Sequence, residues 1–183
     1  NSDYKWHKAP DGGAVFPTDN NGWIYVSNSE IGGNKGGVGA ITFDKNANII
    51  DSYSICSGTN FNCAGGITPW NTWLTCEEYD QGSVWECDPL GKKKPVKYSA
   101  LGKFTHEAAA FDPINFHVYL TEDDKKGGFF KFIPEKISNG KADLNKGVLQ
   151  VAKIFGKTVK WINVPDPKAK HKGPLMRRKK NKK

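Results

Sequence analysis

The chain has 183 residues and a net charge of +8, from 27 Lys and Arg against 19 Asp and Glu. The excess is local: nine basic residues and no acid fall within residues 168–183, leaving 18 basic against 19 acidic elsewhere. Plentiful aromatics, spread as far as Trp161, exclude a disordered chain, and no apolar run approaches the roughly 20 residues of a transmembrane helix. The basic run 168–183 is expected to be a solvated, disordered tail, and contact with nucleic acid is not expected except through it. The chain begins at Asn1, which a removed export signal and a simple boundary fit equally well.

In chain order, residues 1–10 read as an irregular lead-in, with Pro10-Asp11-Gly12-Gly13 as a turn. Gly12–Phe16 and Gly22–Ser29 then read as two strands closing on Glu30, with a third at Gly37–Asp44. The stretch Asn62–Glu78 repeats the pattern: a small-residue strand after Cys63, a Pro69-Trp70-Asn71 turn, and a strand Trp73–Cys76 closing on Glu77-Glu78. Gly65 and Gly66 mark a place where another backbone or a ligand comes close. Gly82–Pro89 supplies the third strand of that unit. The pattern returns as Glu107–Phe111, Val118–Leu120 closing on Glu122-Asp123, and Gly127–Pro134. Helical signals are poor, and residues 135–147 are the one place where a turn or two of helix is expected.

Glu30 to Glu78 is 48 residues and Glu78 to Asp123 is 45, a period that propeller blades show. The fold class is therefore all-β and β-propeller-like, with about three blades over residues 1–167, at about 11–60, up to 104, and 106–164. Closed rings take four to eight blades, so this is partial relative to a closed ring. The chain is a piece of a longer propeller, or a second chain completes it.

Propeller strands point their ends at a central channel. The repeat places Gly12, Cys63 and Glu107 at equivalent inner starts, and Glu30, Glu77-Glu78 and Glu122-Asp123 at equivalent strand ends. One thiol and about six carboxylates so crowded cannot all ionise without multivalent cations. Carboxylates suit hard ions such as Ca²⁺ and a thiolate suits a softer transition metal, with Asn28 and Asn62 as further carbonyl donors. Any one of these residues alone is as readily an exposed strand end, and Cys63 alone a buried thiol or half a disulfide. His106 is a further candidate ligand, equally readable as a hydrogen-bonded structural histidine. Cys56, Cys63, Cys76 and Cys87 form no CxxC pair, which leaves zinc-ribbon and thioredoxin-type sites without support.

Seven motifs in order (Gly12–Phe16, Tyr25–Glu30, Gly36–Ala40, Asn62–Gly66, Cys76–Glu78, His106–Ala110 and Thr121–Asp123) resemble the PhoX family of secreted bacterial alkaline phosphatases, over about its amino-terminal half. The resemblance implies a propeller with a Ca²⁺ and Fe cluster that hydrolyses phosphomonoesters, in a secreted or periplasmic protein. By that similarity Cys63 holds iron, and Glu77, Glu78, Glu107, Glu122, Asp123 and Glu30 hold iron and calcium. Two departures stand out. No Arg precedes Arg177, and Cys56 and Cys87 stand where apolar residues are expected, a pair that are candidates for a disulfide. The reading from a different class is a catalytically silent calcium-binding propeller module with a basic tail.

Overall fold

The computed structural model describes residues 3–169. The tail expected from residue 168 lies outside the described residues, apart from Lys168 and Ala169. Three antiparallel sheets follow one another along the chain. Blade 1 comprises β1 (Pro10–Pro17), β2 (Trp23–Ser29), β3 (Gly36–Phe43) and β4 (Ile49–Thr59), side by side in that order. Blade 2 comprises β5 (Asn62–Ile67), β6 (Trp73–Glu77), β7 (Val84–Cys87) and β8 (Val96–Tyr98). Blade 3 takes β9 (His106–Phe111), β10 (Val118–Glu122) and β11 (Phe129–Pro134), then β14 (Gly147–Phe155) and β15 (Thr158–Asn163). In place of the helical turn expected at 135–147, the chain forms a small hairpin, β12 (Ile137–Ser138) with β13 (Lys141–Ala142). Asn139 and Gly140 adopt φ of 51° and 70° there, a left-handed pair that turns a hairpin and breaks a helix. No helix among the described residues is long and apolar enough to cross a membrane.

The fold is all-β and propeller-like, with three blades of an open ring. Each interface between blades carries its own core. Phe16, Ile24, Val26, Val38 and Ile55 of blade 1 pack against Trp73 and Cys87 of blade 2. Leu74, Cys76 and Val84 of blade 2 pack against Leu120, Phe130, Phe132 and Leu149 of blade 3. Alternation along each strand drives this, since one face of every blade must find an apolar neighbour.

The inner strand β5 lies between the inner strands β1 and β9 and touches both. A Cβ on Gly66 would stand 1.8 Å from the Ala109 carbonyl oxygen, and one on Gly12 would stand 2.7 Å from the Ala64 Cα. Backbone, rather than ligand, is what comes close to these glycines.

Candidate metal centre

The same backbone device occurs once in each blade. The register between the first two strands shifts between Pro10 and Gly13, between Asn62 and Gly65, and on the third blade opposite Leu120–Glu122. Each shift is a bulge in which two residues face one: Asp11-Gly12, Cys63-Ala64 and Glu107-Ala108. A bulge re-aims the first of those side chains toward the axis, and the second residue is small: at Gly12 the Ala64 backbone leaves no room for a side chain. The backbone N–H of Glu30, Glu78 and Asp123 then donates to the carbonyl of Ala9 (2.9 Å), Phe61 (2.8 Å) and Thr105 (3.0 Å), again one per blade. The three blades thus present three matched pairs: Asp11 with Glu30, Cys63 with Glu78, and Glu107 with Asp123.

The repeat register read from the sequence is corrected by one residue. The partner of Cys63 and Glu107 in blade 1 is Asp11, not Gly12. Runs of glycine dominate the repeat there and hide Asp11. The signal that finds it is the small residue after each bulge, Gly12, Ala64 and Ala108, each preceded by a residue able to bind a cation.

The side chains converge. Cys63 Sγ lies 3.6 Å from Asp11 Oδ1 and 3.4 Å from Glu107 Oε1. Ligand atoms of Glu30, Cys63 and Glu78 fall within 4.8 Å of one another, as do those of Glu78, Glu107 and Asp123. Glu78 is common to both groups and sits at their centre. Among the described residues, no Lys, Arg or His forms an ion pair with any of the five carboxylates.

The electrostatics follow. Burial, then a hydrogen bond with Asp123, then the charge of Glu107 push the Glu78 carboxyl up to about 7. Burial, together with the hydrogen bond and charge of Glu107 and the charge of Asp11, pushes the Cys63 thiol far up. A thiol in that setting stays protonated unless a cation lies beside it, and a bound metal reverses the balance. The donor set, oxygen anions around one sulfur, therefore fits a hard cation with a softer one beside it.

Glu77 and Glu122 do not join this group. They end β6 and β10 one residue earlier, on the opposite side of the strand. Glu77 is buried and accepts from the backbone N–H of Asn60 (3.1 Å) and Ser83 (3.2 Å) and from Trp85 Nε1 (3.0 Å). Glu122 accepts from the Gly128 N–H at 2.8 Å. Ser29, the equivalent in blade 1, donates to the Lys8 carbonyl at 2.9 Å.

Asn28 and Asn62 hold the frame instead of facing the axis. Asn28, 0% exposed, donates to the carbonyls of Cys63 (2.7 Å) and Ala64 (3.0 Å) and accepts from Trp73 Nε1 and Thr75 Oγ1 (both 2.9 Å). All four hydrogen-bonding positions of its amide are filled, and the two carbonyls it holds are those of the blade 2 bulge. Asn62 accepts from Thr59 Oγ1 at 2.5 Å and donates to Thr75 Oγ1 at 2.9 Å. His106 is fully buried, stacks on Phe104 at 3.6 Å between ring centres, and bonds the Gly102 carbonyl oxygen through Nε2 at 3.1 Å. Burial pulls its pKa down to about 3, so it is a neutral structural histidine.

Comparison with known proteins gives two findings. The model of the family described as alkaline phosphatase PhoX matches residues 26–86 and 79–182. A solved structure, Pseudomonas fluorescens PhoX in complex with vanadate, a transition state analogue, superposes with a TM-score of 0.73 at 20% identity. That match covers 87% of this chain and 49% of the solved one, so this chain spans about half the length of the protein it resembles. No curated protein matches.

Proposed function

The chain belongs to the PhoX alkaline phosphatase family, and on that premise we propose that its axial cluster is part of a metal-dependent phosphomonoesterase centre. The observation that carries the proposal is the threefold pairing: Asp11 with Glu30, Cys63 with Glu78, and Glu107 with Asp123 gather five carboxylates and a thiol without a protein cation among the described residues. Cys63 would hold iron, and Glu30, Glu78, Glu107, Asp123 and Asp11 would share iron and Ca²⁺ between them. Such metals, when bound, supply Lewis acidity to phosphate oxygens and lower the pKa of a bound oxygen nucleophile. Glu77 and Glu122, with oxygens already engaged by donors of the chain, set the strand ends that aim Glu78 and Asp123.

A phosphomonoester substrate and a secreted or periplasmic location belong to the same proposal and rest on family membership. Completion of the ring by further blades, from a longer chain or from a second one, rests on the 49% coverage of the solved relative. A second reading, a silent calcium-binding module, is favoured by one observation: no Arg precedes Arg177, so the described residues offer no guanidinium to clamp a phosphate.

Elemental analysis, alongside p-nitrophenyl phosphate hydrolysis with and without added Ca²⁺, separates the readings. Bound iron and calcium, both reduced in Cys63→Ala, with turnover, are expected for the phosphatase. Calcium without iron or turnover would establish the silent module. Protein free of both metals after incubation with them would overturn the centre itself.

A further inference from the structure

Two buried thiols outside the axial cluster face each other across the joint between blades 1 and 2. Cys56 lies on β4 opposite Val38, and Cys87 ends β7 opposite Trp73. They are 4% and 0% exposed and belong to one packed apolar cluster with Trp73 and Ile55, close enough that each thiol shifts the ionisation of the other. Both are unoxidised in this structure. The chain nearby is already tied across the same joint, because Tyr53 Oη donates to the Pro89 carbonyl at 2.9 Å. At the inner end of the joint, Asn28 ties β2 to the Cys63–Ala64 bulge. The outer end has the Tyr53–Pro89 hydrogen bond, van der Waals packing and the two sulfurs.

We propose that Cys56 and Cys87 are a disulfide-forming pair that, on reaction with a low-molecular-weight disulfide such as oxidised glutathione, links blade 1 to blade 2 covalently. One thiolate of the pair attacks one sulfur of the oxidant and releases a thiolate, leaving a mixed disulfide. The other thiolate of the pair then attacks the protein sulfur of that mixed disulfide and releases the second thiolate. Two protein thiols are oxidised, one disulfide is reduced to two thiols, and the two S–H protons end on the released thiols. Each thiol perturbs the ionisation of the other, so either sulfur can react first, and both orders give the same disulfide. The link would fix the angle between the blade that carries Asp11 and Glu30 and the blade that carries Cys63 and Glu78. Those four side chains are held in register by Asn28 and the packed joint, which gives the crosslink a consequence at the centre.

The test is refolding of the whole chain in a buffer of reduced and oxidised glutathione, in parallel with exposure of the folded protein to the same buffer, then alkylation and mass spectrometry. Trypsin has no site between Lys45 and Lys92, so all four cysteines share one peptide. Chymotrypsin, cutting after Phe61, Trp70 or Trp73, and Trp85, separates them. The expected product carries two alkylated thiols, Cys63 and Cys76, and a Cys56–Cys87 link two hydrogens lighter. Its melting temperature is expected to stand roughly 5–15 °C above that of the dithiothreitol-treated protein. Cys56→Ser removes both the link and the shift. Four alkylated thiols in the refolded protein, a link involving Cys63 or Cys76, or a linked form that melts below the reduced one would overturn the pairing.

Discussion

Glu86 and the axial cluster show two ways of placing carboxylates inside a blade structure. Glu86 is 6% exposed, and every donor it needs is supplied by the chain: Tyr98 Oη at 2.5 Å, Trp70 Nε1 at 2.6 Å, Thr72 Oγ1 at 2.8 Å and Lys141 Nζ at 3.2 Å. Burial alone would raise its pKa, but those hydrogen bonds and the Lys141 charge together pull it below the ordinary value. Glu78 has the reverse surroundings, three acids (Glu30, Glu107 and Asp123) and a thiol, and burial with the acids Asp123 and Glu107 carries it up to about 7 against the Cys63 hydrogen bond. A satisfied buried carboxylate explains itself within the protein. One surrounded by other acids points to a cation from outside. The same contrast separates neighbours in sequence, since Glu77 is satisfied by Asn60, Ser83 and Trp85 while Glu78 faces the cluster.

The largest test of that contrast removes the satisfied member. Glu86→Ala strands the buried Tyr98 hydroxyl and the half-buried donors of Trp70 and Thr72 and is expected to cost roughly 2–4 kcal/mol, read by denaturant unfolding. A loss under about 1 kcal/mol would mean that those donors find water at no cost. Asn28→Ala comes next, at about 2–3 kcal/mol, since it frees two buried carbonyls and two donors. It should also weaken Ca²⁺ uptake by loosening the Cys63–Ala64 bulge, and unaltered calcium affinity would separate the frame from the site.

The opposite sign is expected at the axis. Glu107→Gln, measured in chelator, should raise stability by about 0.5–1 kcal/mol through relief of like-charge repulsion while reducing calcium affinity. Destabilisation in chelator would show that the acids are already compensated. The narrowest effect, confined to acid pH, is on pH dependence. The folded pKa of Glu86 is lowered, so the unfolded chain binds a proton first and stability falls as pH drops below about 4.5, by up to about 1.4 kcal/mol per pH unit. Glu86→Gln should remove that slope from an acid titration of unfolding, and an unchanged slope would assign it to other carboxylates.

The three blades and their inner hairpins are legible in the amino-acid sequence, through the period and the strand alternation. Glu30, Glu78, Glu107, Asp123 and Cys63 are legible as a set because they recur at matching positions. The direction of each side chain is not. Whether Glu77 or Glu78 faces the axis depends on a one-residue register, and a strand alternates faces at every step. Asp11 is hidden for the same reason, because a bulge adds a residue that a pattern of glycines does not count. The roles of Asn28 and Asn62 depend on partners such as Thr75, 47 residues away from Asn28, which no local pattern contains. The hairpin at 137–142 is unreadable because two-residue strands carry no periodicity.

The most direct test of the threefold account is a calorimetric titration of Ca²⁺ into reduced, chelator-treated protein, wild type against Asp11→Asn, with melting curves to confirm that both are folded. Asp11 is the member that the bulge geometry adds to the set, 3.6 Å from Cys63 Sγ. Saturable binding in the wild type, at least tenfold weaker in Asp11→Asn, is the expected result. Equal affinity in both would contradict the pairing of Asp11 with Cys63 and Glu107, and absence of binding in the wild type would contradict the centre.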